Sequence, residues 1–453
     1  MSDAVAEFLI AASVRKDGSA HCSGTLEEAE AILAREPGAA GANIYTAAVL
    51  GDEAAVRRFL SADAGLATAQ GGPHEWDALT YLCFSRYLRL DAAKSEAFVR
   101  TARALLEAGA DANTGWWETI DLDTTPRRIP EKAIYGATGI ARHAGVTELL
   151  LEFGADPNDE ETPYHAPEGY DNTVLEILLK SGKFNETAMT TVLLRKADWH
   201  DDEGMEMALK FGANPNAMAH WRGTATHQAA KRDNWLPAVE RLLDHGADVT
   251  LKNRDGMSVA MIAARRGRED MLKHFTVRGI DPQLEGVDRL FAACAKSDDA
   301  EIHALLAEEP ALQAELIATG GSLLAQFAGN GNVEGMKRLL ELGVPVDALY
   351  EGDSYFEIAK DSTALHVAAW RGQPEAMKLL LERGAPVNAL DGAGRTALQL
   401  AVRACVDSYW RRRRTLEWLE PLLKAGASTA GIAVPCGWTN ADELIATYAG
   451  EQS

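Results

Sequence analysis

Five carboxylates and four aromatic side chains stand in the irregular parts of this chain: Glu118, Glu168, Asp198, Glu351 and Asp353, with Trp117, Trp199, Tyr350 and Tyr355. Brought together, they could stack a sugar ring or hold a cation. Two of the carboxyls at a suitable separation could also divide acid and base work, because burial raises one pKa while its neighbour stays ionised. His200 follows Asp198 by two residues, and a carboxylate neighbour can orient an imidazole base. If the chain is an enzyme, Glu168, Asp198, His200, Glu351 and Asp353 are the residues to carry the reaction. The plainer alternative is an acidic, solvated surface.

Known chemical signatures narrow the field. The chain has no His-Glu-x-x-His, Gly-x-Ser-x-Gly, phosphate-loop or dinucleotide pattern, so nothing supports a zinc peptidase, a serine hydrolase, a nucleotidase or a Rossmann enzyme. No cofactor and no metal are expected. The five cysteines, Cys22, Cys83, Cys294, Cys405 and Cys436, are widely spaced and form no Cys-x-x-Cys pair, which reads as reduced thiols. With 45 basic against 67 acidic residues the formal charge is -22, which repels a phosphate backbone. Neither nucleic acid nor membrane is an expected partner. The first apolar run, 5–14, is short and carries Glu7, unlike a signal peptide or a span, and a cytoplasmic location is the default.

The elements that must position these residues repeat. Gly109, Gly154, Gly212, Gly246, Gly279, Gly343, Gly384 and Gly426 each close an apolar run such as Leu379-Leu380-Leu381. The closest spacings are 34 (Gly212 to Gly246) and 33 (Gly246 to Gly279). In the clearest copy a short helix over Thr363 to Ala369 is broken at Gly372. A second begins near Ala376, and Gly384 stops it where a left-handed residue is cheapest. Pairs of such short helices cannot bury their own apolar faces and must stack on one another.

Thr363-Ala-Leu-His-Val-Ala-Ala followed by Leu379-Leu-Leu-Glu-Arg-Gly-Ala-Pro-Val-Asn resembles the ankyrin repeat. Similar copies start at Thr162, Thr224 and Thr396. The resemblance implies an all-α ankyrin solenoid of about twelve repeats, one domain over 1–453. Residues 1–40 would form an atypical capping repeat and 430–453 a closing cap. It also implies a structural helix-start hydrogen bond for His165, His227 and His366, and a concave row formed by the two residues after each Ala-Ala pair. That row contains Asp198, Trp199, Arg232, Arg265, Arg266, Trp370 and Arg371.

Departures from the pattern mark the candidate site. A long loop after Gly109 places Trp116, Trp117 and Glu118 where they would overhang the inner face. Tyr350 to Glu357, with Tyr355, lengthens another loop. Pro167 removes a backbone donor and should leave Glu168 and Tyr170 on irregular chain. Trp221 sits on a hairpin. The first functional reading is a monomer whose groove binds a protein or peptide, the arginines meeting acidic groups and Trp or Tyr serving as anchors. The alternative is a small-molecule or unorthodox carboxylate site under loops 113–130 and 348–361.

Overall fold

The computed structural model describes residues 2–16, 21–120, 126–409 and 411–451. Asp121 and Asp123 of the first long loop, and Trp410, lie outside the described residues. The chain divides into two compact units, 1–247 and 248–453. Among the described residues of the first, seven helix pairs follow one another, from Asp3–Ala12 with Glu27–Arg35 to Ala225–Lys231 with Leu236–Asp244. Within the second there are five, from Val259–Arg265 with Glu269–Val277 to Ala397–Val406 with Glu420–Lys424, and helix Thr439–Glu451 follows. The all-α architecture and the number of pairs agree with the repeat spacing.

Local chemistry explains why the pairs form. Thr224, Ser258, Thr363 and Thr396 each begin a helix with a reciprocal capping box, which satisfies two orphan amide donors at once. The Ala-Ala pairs 229–230, 263–264 and 368–369 are fully buried, so first helices can approach without side-chain bulk between them. Gly384, at φ +85°, occupies the left-handed position that ends Pro374–Glu382.

Several loops are then clasped to the next. Asn388 donates to the Gly426 carbonyl at 3.2 Å and accepts from the Ser428 amide at 2.7 Å. Asn113 makes the same pair of bonds to Gly154 and Asp156, and Asn158 to Lys183 and Asn185. An asparagine has the donor and acceptor needed to tie two backbone groups of one loop, which accounts for its recurrence after the glycine.

Two insertions form hairpins. β1 (Gly115–Ile120) pairs antiparallel with β2 (Arg127–Lys132), Trp116 opposite Glu131 and Glu118 opposite Ile129. At Gly115 a side chain would be impossible, since a Cβ would lie 2.1 Å from the Glu131 carbonyl oxygen. β2 runs directly into helix Ala133–Tyr135, which continues as a π-turn over Gly136–Ile140. In the second unit β3 (Leu349–Tyr350) pairs with β4 (Ser362–Thr363).

Candidate functional site

The period of two in a strand sorts the first insertion into two faces. Trp116, Glu118, Ile129 and Glu131 point inward and are buried, while Trp117 is 58% exposed with Arg128 over its ring at 5.3 Å. Trp116 stacks on Trp76 at 4.3 Å and meets Phe84 edge-on at 4.3 Å. Trp117 is thus exposed on the other face of the hairpin, and Trp116, expected from the sequence to overhang with it, is instead a core anchor that fixes the hairpin to the repeat before it. Once anchored, the hairpin presents Glu118 and Glu131 to the interior.

They face a cavity of about 930 Å³ within the first unit. Its lining includes five carboxylates, Glu118, Glu131, Asp159, Glu160 and Glu161, with His21, His165, Tyr135, Tyr164 and Trp221. Arg127 is the arginine of the lining and pairs with Glu160. His21 Nε2 lies 3.4 Å from Glu118 Oε2, and its Nδ1 is 3.3 Å from Tyr135 Oη and 3.9 Å from Glu131 Oε2. One ligand atom from each of His21, Glu118 and Glu131 falls within 4.8 Å of the others, so these three could hold a metal ion.

Burial and crowding set the protonation states. The Glu131 carboxyl is pushed up to about 9 by burial, reinforced by the charges of Glu161, Glu118 and Asp159. Asp159 is pushed up to about 7, again by burial, although its carboxylate accepts from the Thr162 amide at 2.6 Å. Burial alone would lower His165, but its hydrogen bonds to Glu161 and Glu168 outweigh that and hold it at about 9. His21 is lowered by burial, only partly opposed by Glu118. At neutral pH the cavity thus combines a protonated Glu131 and a charged His165 with an Asp159 that is midway through its titration. Such a set can share protons and accept a cation.

The opposite wall is aromatic. Tyr164 and Trp221 stack with planes 3° apart at 6.1 Å, and the indole N–H of Trp221 donates to Thr191 at 3.2 Å. Arg195 lies 4.0 Å over the Tyr164 ring. The same guanidinium donates to Glu168 at 2.7 Å and to Asp198 at 2.8 Å. Glu168 and Asp198, two of the five carboxylates considered together in the sequence, are joined here as two arms of an arginine clasp. Hydrogen bonds from His165 and Arg195 hold Glu168 below the usual carboxylate range against the burial that would raise it. Asp198 also accepts from Arg232 at 2.9 Å. His200 sits on a left-handed turn at φ 53° after helix Glu186–Asp198, and Trp199 meets Tyr170 edge-on at 6.5 Å. Neither residue lines the cavity.

Arg265 and Arg266 of the row have acidic partners elsewhere in their own unit. Arg265 binds both carboxylate oxygens of Asp288, at 2.6 and 3.0 Å. Arg266 lies 3.8 Å from Asp353 and, with Arg371, flanks the Phe356 ring, at 5.4 and 4.3 Å. Trp370 is buried, its N–H donating to the Phe356 carbonyl at 2.6 Å. Tyr350 is buried with its hydroxyl against Gln326, Tyr355 packs edge-on to Phe356 at 4.9 Å, and Glu351 is exposed. The second insertion thus closes around Phe356.

His21, Glu131, Tyr135, Asp159, Glu161 and Tyr164 escaped the sequence reading. His165 was assigned a structural role that its geometry does not match. His227 and His366 do bond the threonine three residues before them, at 2.8 and 2.9 Å. His165 instead turns to Glu161 at 3.0 Å and Glu168 at 3.2 Å, and the Thr162 hydroxyl is left buried without a hydrogen-bond partner. A short acidic run before this copy, Asp159-Glu160-Glu161, is the signal that distinguishes it.

Family models for "Ankyrin repeats (many copies)" match residues 226–275 and 339–401. The crystal structure of the human ASB11 ankyrin repeat domain is similar over 52% of this chain and 99% of that one, at 23% identity and a TM-score of 0.24. No curated protein matches the chain. No described helix is long and apolar enough to cross a membrane.

Proposed function

Because the chain is an ankyrin-repeat protein, and such repeats generally mediate protein–protein interaction, we propose that it recognises a protein partner by gripping a lysine or arginine side chain in the cavity beneath β1 and β2. The observation that carries this reading is the lining: five acidic side chains, of which Glu131 is held protonated, against Arg127 and a charged His165, beside a Tyr164–Trp221 stack. A cation over an aromatic face gains about 0.5–2 kcal/mol, more as water is excluded. Tyr164 already holds one guanidinium in this way, that of Arg195. The row that the sequence offered for acidic partners supports that role less well, because Arg232, Arg265 and Arg266 face carboxylates of the chain itself.

A second reading, a free organic cation, is favoured by the cavity's size, which lies at the upper end of the roughly 300–1,000 Å³ of small-molecule sites. Calorimetric titration separates the cases. Short peptides containing arginine or lysine should bind, acidic peptides of equal length should not, and Trp221→Ala or Glu161→Gln should weaken binding roughly tenfold, about 1.4 kcal/mol. Stronger binding of a free diamine than of any basic peptide would favour the second reading. Equal binding of acidic peptides, or indifference to both substitutions, would remove both.

A further inference from the structure

The hairpin wall of the cavity holds three buried donors drawn from distant parts of the chain: His21, 6% exposed, Glu118, and Glu131, 2% exposed. Their proximity is accompanied by an independent sign of a missing partner. His21 Nε2 and Glu131 Oε2 are both shut off from solvent with no hydrogen-bond partner. Leaving such atoms unsatisfied costs about 1–3 kcal/mol each, and more for a charged group. The geometry suits an ion. A tetrahedral centre with bonds of about 2.0–2.1 Å has ligand–ligand edges of about 3.3 Å, and His21 Nε2 lies 3.4 Å from Glu118 Oε2. The donor atoms lie within 4.8 Å of one another, so the wider separations shorten by up to about 1.5 Å, through side-chain rotation, to reach that edge.

We propose that His21, Glu118 and Glu131 bind a divalent first-row transition ion of the zinc or manganese class. One imidazole and two carboxylates form a borderline-to-hard donor set that favours these ions over copper(I) or iron–sulfur clusters, which need thiolates. Among the described residues, no cysteine lines the cavity. Tyr135 supplies the orienting contact: with its oxygen 3.3 Å from Nδ1, an Nδ1–H donating to Tyr135 leaves the Nε2 lone pair for the ion. Three protein ligands leave a coordination position open toward the cavity, for water or for a donor atom of a bound molecule. The site stands apart from the reading of the cavity as a cation acceptor. It occupies the hairpin wall, and Asp159, Glu160 and Glu161, on the segment before Thr162, are not among its ligands.

The test takes the full chain stripped with a chelator. It is titrated with Zn²⁺ or Mn²⁺ alone by calorimetry, and with Co²⁺ while visible absorption is recorded. The expected result is one equivalent bound, a raised melting temperature, and cobalt bands of a four- or five-coordinate ion. His21→Ala and Glu131→Gln should each abolish the stoichiometric uptake, and Tyr135→Phe should weaken it about tenfold. Should a substituted chain fail to fold by circular dichroism, the wild-type cobalt spectrum decides without it. No stoichiometric uptake, a six-coordinate aquo-type spectrum, or uptake unchanged in folded His21→Ala overturns the assignment. Loss of metal uptake with basic-peptide binding intact counts against this inference alone.

Discussion

Arg195 and its neighbour Lys196 show how single buried charges organise the first unit. Arg195 joins Glu168, Asp198 and the Tyr164 ring, so Arg195→Met would leave two carboxylates without their common partner. Removing one side of a buried pair costs about 3–5 kcal/mol; urea denaturation should show a loss of that size. Lys196, fully buried, meets Asp201 at 2.8 Å. Burial alone would raise the Asp201 carboxyl, but hydrogen bonds from Lys196, the Gly204 amide and Asn172 hold it below its ordinary value. The unfolded chain therefore takes up this proton before the folded one. The stability it adds is complete above roughly pH 5 and is lost as pH falls through the folded value. The urea midpoint should drop on acidification below about pH 4, with a shallower drop in Asp201→Asn, which starts from lower stability at neutral pH. The sequence could not reveal the Arg195–Glu168 and Arg232–Asp198 contacts. Glu168 and Arg195 are separated by 27 residues and Arg232 and Asp198 by 34, and only the stacking of one repeat on the next makes them neighbours. His21 was hidden for the same reason, its partners lying about a hundred residues further along.

The hairpin of β1 and β2 is the element that turns a repeat array into a site. Its sequence carried the strand alternation, with Trp116 and Glu118 on one face and Trp117 and Thr119 on the other. An inward glutamate obscured that pattern, because buried strand faces are normally apolar. Pro130 also argues against a central strand and is tolerated here in a two-stranded hairpin. Substitution separates the faces. Trp116→Ala should destabilise the protein by about 3–5 kcal/mol through lost packing against Trp76 and Phe84. Trp117→Ala should stay within about 0.5 kcal/mol. Equal effects in thermal or urea melts would contradict the register. By contrast, the repeats themselves were legible, because glycine at helix ends, Thr-x-x-His at helix starts and paired alanines each answer a local backbone need. The second insertion was legible as an insertion, but its closure around Phe356 depends on Arg266 and Arg371 from other repeats.

For the whole molecule, a formal charge of -22 attracts a basic partner over distances comparable with the screening length, about 8–10 Å at physiological salt. Association with a basic peptide should slow by about tenfold or more between low and physiological ionic strength in stopped-flow measurements, while dissociation changes little. The central claim, that recognition occurs in the cavity under the hairpin, is most directly tested by hydrogen–deuterium exchange of the full chain with and without an arginine-containing peptide. The expected result is new protection concentrated in residues 115–120, 127–135 and 158–165. Protection confined to the arginine-bearing helix ends around Arg265 and Arg371, with those segments unchanged, would contradict it.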